Sequence, residues 1–165
     1  MIAIKKILLI FSAISLNLLI FWGCQSSSKT IKQEKSFDEG SKFSRELIKE
    51  AEKYLGIPYC YGGSTTSCLD CSGFVNLVFN QFGIILPRTA SDIYDFAEKV
   101  SLSEAKAGDL VFFRAKNKIN HVGIYLERGE FIHSSSSKGV TKNSLSENYY
   151  STHFYGAGRV ISIQP

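Results

Sequence analysis

Apolar residues recur at helical spacing near the start of the polar part of the chain: Phe43, Leu47, Ile48, Ala51, Tyr54 and Leu55, with charged residues between them. This spacing predicts an amphipathic helix over roughly Lys42 to Leu55, which Gly56 stops and Pro58 keeps from restarting. Phe74, Val75, Val78, Phe79 and Phe82 predict a second helix from about Cys71 to Phe82, with Gly83 as its closing residue. Pro87 and Thr89 open a short third helix with Ile93, Phe96, Ala97 and Val100 inward. Its start, Thr89-Ala90-Ser91-Asp92, is similar to a capping box with Asp in the place of Glu.

The pattern then changes. Leu110-Val111-Phe112-Phe113, Val122 to Leu126, Phe131-Ile132 and Val160 to Ile163 are short β-prone runs separated by Gly and polar residues. Helices first and strands afterwards predict an α+β domain with the helices packed on an antiparallel sheet. The hairpin between His121 and His133 admits two registers. A two-residue turn at Arg128-Gly129 places the two histidines on opposite faces. A three-residue loop, Glu127-Arg128-Gly129, pairs Leu126 with Glu130 and Gly123 with His133, and the histidines then share a face as diagonal neighbours. Such loops favour Gly in a left-handed position, and Gly129 supplies it, so the second register is expected.

The segment before the first helix reads differently. Lys5 and Lys6 precede an apolar run from Ile7 to Trp22, too short for a comfortable membrane span and suited to a secretory signal over residues 1–23. It ends at Gly23-Cys24, which resembles the lipobox of bacterial lipoproteins. That resemblance implies lipidation at Cys24 and a membrane tether outside the cytoplasm, with Gln25 similar to outer-membrane sorting in a diderm bacterium. Residues 24–41 are polar, rich in Ser, Lys and Glu, and read as a flexible tether; residues 42–165 form one domain. The 165 residues include 12 Phe and 8 Tyr and are 44% hydrophobic, enough to build a core and to exclude intrinsic disorder. The formal charge of +4 is mild and no basic block is interleaved with aromatics, so no nucleic-acid partner is expected.

Candidate chemistry centres on Cys71 at a helix start, with His121 and His133 on strand-like segments. These are the parts of a cysteine nucleophile with a base and an orienter. A helix N-terminus and an adjacent imidazolium both lower a thiol pKa, so Cys71 is expected as a thiolate. The Cys71 N–H and the hydroxyl of Tyr59 are candidate oxyanion donors. Cys68-Leu69-Asp70-Cys71 is formally a C-x-x-C, but no second such motif follows and no metal or cofactor is expected. Cys60 and Cys68 either form a disulfide across Gly62-Gly63 or are two small buried residues. His153 reads as structural or solvated, and Asp109 after Gly108 as a turn former.

Pro58-Tyr59 through Gly63, Asp70-Cys71-Ser72-Gly73-Phe74, Leu86-Pro87-Arg88, Gly108 through Phe113, His121 to Tyr125 and Phe131 to Ser136 together resemble the NlpC/P60 family, over roughly residues 43–163. The resemblance implies a papain-like cysteine peptidase that cleaves peptidoglycan stem peptides. It implies Cys71 as nucleophile, His121 as base, His133 as third polar residue and Tyr59 as oxyanion donor. It further implies that Asp70, Ser72 and Arg88 hold the charged ends of the peptide. The family often has Ser or Thr two positions after that Arg, where this chain has Ala90. The expectation is thus a monomeric, lipid-anchored cell-envelope hydrolase. The alternatives are an amidase or transferase on the same scaffold, or a non-catalytic wall-binding lipoprotein.

Overall fold

The computed structural model describes residues 27–160, with side chains from residue 40 onward. The leader and Cys24 lie outside the described residues. Helix α1 spans Ser27–Glu52. It starts earlier than the predicted Lys42, inside the segment expected as a flexible tether. The reason lies in composition: Lys, Gln and Glu are good helix formers, and the segment has no proline. Among the described side chains of α1, Leu47 and Ala51 are fully covered.

Two short strands, β1 (Ser64–Thr65) and β2 (Cys68–Leu69), form a small antiparallel pair just before α2 (Cys71–Asn80). Next come α3 (Ala90–Phe96), β3 (Glu98–Val100) and a 3₁₀ turn at Leu102–Glu104. The remainder is β4 (Leu110–Ala115), β5 (Lys118–Tyr125), β6 (Glu130–Ser135), β7 (Gly139–Ser144), α4 (Asn148–His153) and β8 (Phe154–Arg159). Strands β3 to β8 make one six-stranded sheet in the order β3-β8-β4-β5-β6-β7, and every pairing is antiparallel.

Alternation along the strands divides the core in two. Leu110, Phe112, Val122, Ile124 and Ile132 join Leu47 of α1, Phe74, Val75 and Val78 of α2, and Ile93 of α3. Val111, Phe113, Tyr125 and Phe131 form a second cluster with Tyr150 of α4. Each fully buried aliphatic or phenyl side chain contributes about 1.5–3 kcal/mol relative to exposure.

Four elements depart from the sequence pattern. The third helix ends at Phe96, which is 55% exposed rather than inward, and Glu98–Val100 pairs with β8 instead of extending the helix. The last strand is Phe154–Arg159; Val160 lies just past it, and residues 161–163 lie outside the described residues. Strand β7 and helix α4 form where the hydrophobic pattern predicts neither, because polar residues dominate both. The Asp109 turn is as expected: its carboxylate accepts from the Lys106 N–H at 2.7 Å and pairs with Arg159 of β8 at 2.8 Å.

Candidate active site

The β5–β6 hairpin takes the three-residue loop. Leu126 N–H donates to the Glu130 carbonyl at 2.9 Å, and Ile124 and Tyr125 face Ile132 and Phe131. Arg128 and Gly129 both adopt positive φ, 52° and 82°. One step further along the ladder Gly123 meets His133 so closely that a Cβ there would lie 3.0 Å from His133 Cβ. Glycine is what lets the second imidazole sit against β5. The consequence is a histidine pair on one face: His121 Nε2 and His133 Nδ1 are 2.7 Å apart, with the rings at 88°. His133 is 1% exposed, and Phe131 and Tyr150 pack around it.

The nucleophile candidate arrives from the other side of the chain. Asp70 caps α2 by accepting from the Gly73 N–H at 2.6 Å, which fixes Cys71 as the first helical residue. The helix is held at its N-terminal end: Asn76 Nδ2 donates to the carbonyls of Ser72 and Pro87, and buried Ser134 Oγ donates to the Leu69 carbonyl. Cys71 is free and 8% exposed, and its thiol donates to the Asn120 carbonyl at 3.8 Å. The Val122 amide also faces the sulfur. The sulfur therefore lies against the β5 backbone on either side of His121, at the place where the β4–β5 ladder shifts register. Cys60 and Cys68 are joined in a disulfide with Cα atoms 5.5 Å apart.

The electrostatics correct one expectation. Burial pushes the Cys71 thiol up; the amides of Val122, Ser72 and Cys71 pull it down, but not enough to reverse the effect, and Asp70 adds to the rise. Burial likewise pulls the His121 imidazole down to about 3, with His133 adding to the effect. Burial lowers His133 as well, against a hydrogen bond to Asn143 that favours its charged form. Burial thus favours the neutral forms of the thiol and of both imidazoles. The helix-start donors are present, but desolvation outweighs them.

Asp70, Ser72 and Arg88 come together beside Cys71. Arg88 grips Asp70 through two hydrogen bonds, Nη1 to Oδ1 at 3.1 Å and Nη2 to Oδ2 at 2.5 Å, and also donates to Ser72 Oγ at 2.8 Å. Burial alone would push the Asp70 carboxyl up, yet donors on Arg88, Gly73 and Ser72 hold it below its ordinary value. Asp70 is thus a cap and an anchor, while the Arg88 side chain stays 48% exposed. Tyr59 is joined to Leu69 by a parallel bridge, two residues before Cys71. Burial, Cys71 and Asp70 raise its hydroxyl pKa, so it keeps its proton and can donate.

Sequence reasoning missed the outer partners of His133. Asn143 of β7 presents Oδ1 at 3.0 Å from His133 Nε2, Tyr150 Oη lies 3.2 Å from the same nitrogen, and Glu147 lies behind Asn143. The available signal was strand pairing: His133 opposite Thr141 places Asn143 one diagonal away on the same face. His153 Nδ1 donates locally to the Tyr149 carbonyl at 2.7 Å, and the ring stacks on that of Tyr149.

The NlpC/P60 family pattern matches residues 56–159, from the turn after α1 to the end of β8. The chain belongs to the NlpC/P60 family. Among its relatives is the gamma-DL-glutamyl hydrolase of Bacillus subtilis, 46% identical over 117 residues, which are 68% of this chain and 28% of that protein. Another is the murein DD-endopeptidase MepS/murein LD-carboxypeptidase of Escherichia coli K12, 40% identical over 70% of this chain and 62% of that protein. The chain thus spans less than two thirds of either relative. A solved NLP/P60 family protein of Staphylococcus aureus, similar to lipoprotein, superposes with a TM-score of 0.67 at 41% identity, covering 73% of this chain and 42% of that one. The NlpC/P60 region coincides with the part of the chain that carries the cysteine, both paired histidines, Tyr59 and the Arg88 cluster.

Proposed function

We propose that this chain is a cysteine-type peptidoglycan endopeptidase that hydrolyses an amide bond in cell-wall stem peptides. The observation that carries the reading is a free cysteine at the start of a capped, buried helix, lying against the strand that bears a hydrogen-bonded histidine pair. The names of the NlpC/P60 relatives support the wall substrate.

In the proposed cycle the thiol leaves the Asn120 carbonyl and gives its proton to His121 as the sulfur bonds to the scissile carbonyl carbon. The carbonyl π electrons move to oxygen, and the Cys71 N–H and the Tyr59 hydroxyl donate to that oxyanion. Collapse breaks the C–N bond; the leaving amine takes the proton from His121, and a thioester is left on Cys71. Water then attacks the thioester with His121 as base, releasing a carboxylic acid and restoring the thiol. Because burial favours the neutral forms of Cys71 and His121, the proposed cycle has proton transfer accompany attack. Arg88 keeps exposed guanidinium surface for the peptide's carboxylate groups. Lipidation of Cys24 would tether the enzyme to a membrane outside the cytoplasm, within reach of the wall.

The test is digestion of purified sacculi by the full chain, with muropeptide products identified by mass. Products of a cut within the stem peptide support the proposal, and Cys71→Ala is expected to abolish them while the protein stays folded. Release by Cys71→Ala overturns the mechanism. Products cut at the sugar–peptide bond, or transferred to an added amine, instead indicate an amidase or a transferase.

A further inference from the structure

Resting on the peptidase reading above, we propose that Asn143 and Glu147 are positioning residues that fix the tautomers of both histidines and leave His121 Nδ1 bare to receive the thiol proton. The inference starts at the exposed end of the network. Asn143 Nδ2 donates to both carboxylate oxygens of Glu147, at 3.0 and 2.9 Å. Glu147 is held in turn by the Ser144 N–H at 2.8 Å. A carboxylate only accepts, so the amide nitrogen must face Glu147 and the amide oxygen must face His133.

Asn143 Oδ1 lies 3.0 Å from His133 Nε2. An amide oxygen also only accepts, so Nε2 carries the hydrogen. In a neutral ring His133 Nδ1 is then unprotonated. It lies 2.7 Å from His121 Nε2, which must therefore be the donor. The nitrogen of His121 without a hydrogen is then Nδ1, the one not engaged by His133. Tyr150 Oη, 3.2 Å from His133 Nε2, takes a share of the same hydrogen. It cannot impose the opposite tautomer, because a bare Nε2 would set its lone pair against that of Asn143 Oδ1. The direction of donation thus runs from the sheet interior outward to an acceptor-only group at the surface, and every link is oriented by the one outside it.

Glu147 is exposed, so Glu147→Gln changes its acceptor chemistry with almost no change in shape. A glutamine can donate to Asn143 Oδ1, which lets the amide turn, present Nδ2 to His133 and reverse both rings. The full chain, isotope-labelled at the histidine nitrogens, reports the tautomers directly by NMR. The parent protein is expected to show both His121 and His133 protonated at Nε2. Glu147→Gln is expected to give a mixture of tautomers and to lower kcat by between about 10- and 100-fold with KM retained, the range seen when an outer partner of a metal-bound histidine is lost. Asn143→Asp alone sets two carboxylates face to face and is expected to lower kcat as well. The double variant Asn143→Asp/Glu147→Gln is expected to recover both the Nε2–H tautomers and kcat, because the new amide at position 147 then donates to an acceptor-only carboxylate at position 143. A purely structural role for the pair would not produce that rescue. The inference is overturned if His121 is protonated at Nδ1 in the parent, or if Glu147→Gln leaves tautomers and kcat unchanged. A parent protein with the expected tautomers and no wall hydrolysis overturns the peptidase reading and leaves this one intact.

Discussion

Gly123→Ala isolates the one backbone position that makes room for the histidine pair. A Cβ at residue 123 would meet Phe131 Cδ2 at 2.8 Å, and His133 Cβ and the Ile132 carbonyl oxygen at 3.0 Å. An ordinary carbon–carbon separation is about 3.5 Å, so Phe131 must retreat by roughly 0.7 Å and His133 by roughly 0.5 Å. Neither is free to do so: Phe131 is fully buried among Phe113, Tyr150 and His133. Overpacking of this kind costs about 1–3 kcal/mol, less the roughly 0.5–1 kcal/mol by which alanine is favoured over glycine in a strand. The expected net loss is about 0–2.5 kcal/mol, centred near 1, read as a lower urea midpoint at constant slope. The catalytic effect is larger than that loss implies, because the displaced group is the ring 2.7 Å from His121. A shift of about half an ångström is expected to lower kcat on the order of tenfold, given that a misplacement of about 1 Å costs up to about 100-fold. Peptide release from sacculi by the folded variant is the assay. A destabilised Gly123→Ala protein with unchanged kcat would refute the idea that this glycine sets the position of His133.

Three further outcomes are expected. In a double-mutant cycle of Asp70→Asn and Arg88→Gln, denaturant unfolding should show a coupling of about 1 kcal/mol, discounted for the half-exposed Arg88; additive losses would show that the Arg88 contacts do not hold the cap. The buried His121 gives stability a pH slope: its pKa is lowered from 6.5 to about 3, so the unfolded chain binds the proton first. Stability is then fully present above about 6.5 and falls as pH drops towards 3, by a few kcal/mol at most at ~1.4 kcal/mol per unit, because the ring keeps some solvent contact. Urea midpoints across that range check this, and an unaltered slope in His121→Gln would contradict it. Reducing the Cys60–Cys68 bridge, which spans a sequence separation of 8, should cost about 2.5 kcal/mol. Melting with and without reductant measures it, and unfolded protein should titrate with no free thiol from either residue before reduction.

Where the sequence carries a strong period, it determines structure in detail. A three-residue loop with glycine at its left-handed position is enough to give the hairpin register and, through it, the meeting of His121 with His133. The cap at Thr89 was legible from its Thr-Ala-Ser-Asp start, whereas the cap at Asp70 emerges only in the structure. Polar segments carried less information. Gly139–Ser144 offers Val140 as its one large apolar residue, so nothing in the pattern marks β7 or the Asn143 on it. Glu147 lies a turn away, at the start of a short helix with no apolar stripe. Residues 98–100 read as a helix tail because Val100 fell in phase, while pairing with β8 decided otherwise. The thiol's protonation was not legible at all: motif spacing locates donors around a sulfur but does not report how thoroughly the fold dries it.

That drying has a consequence for the chemical lifetime of the protein. Peroxide and related oxidants attack cysteine through its anion, and the usual first lesion is a sulfenic acid. A thiol whose ionisation is disfavoured by burial, and which is 8% exposed, offers such reagents little to react with. The packing that dries Cys71 therefore also shelters its sulfur from corrosion.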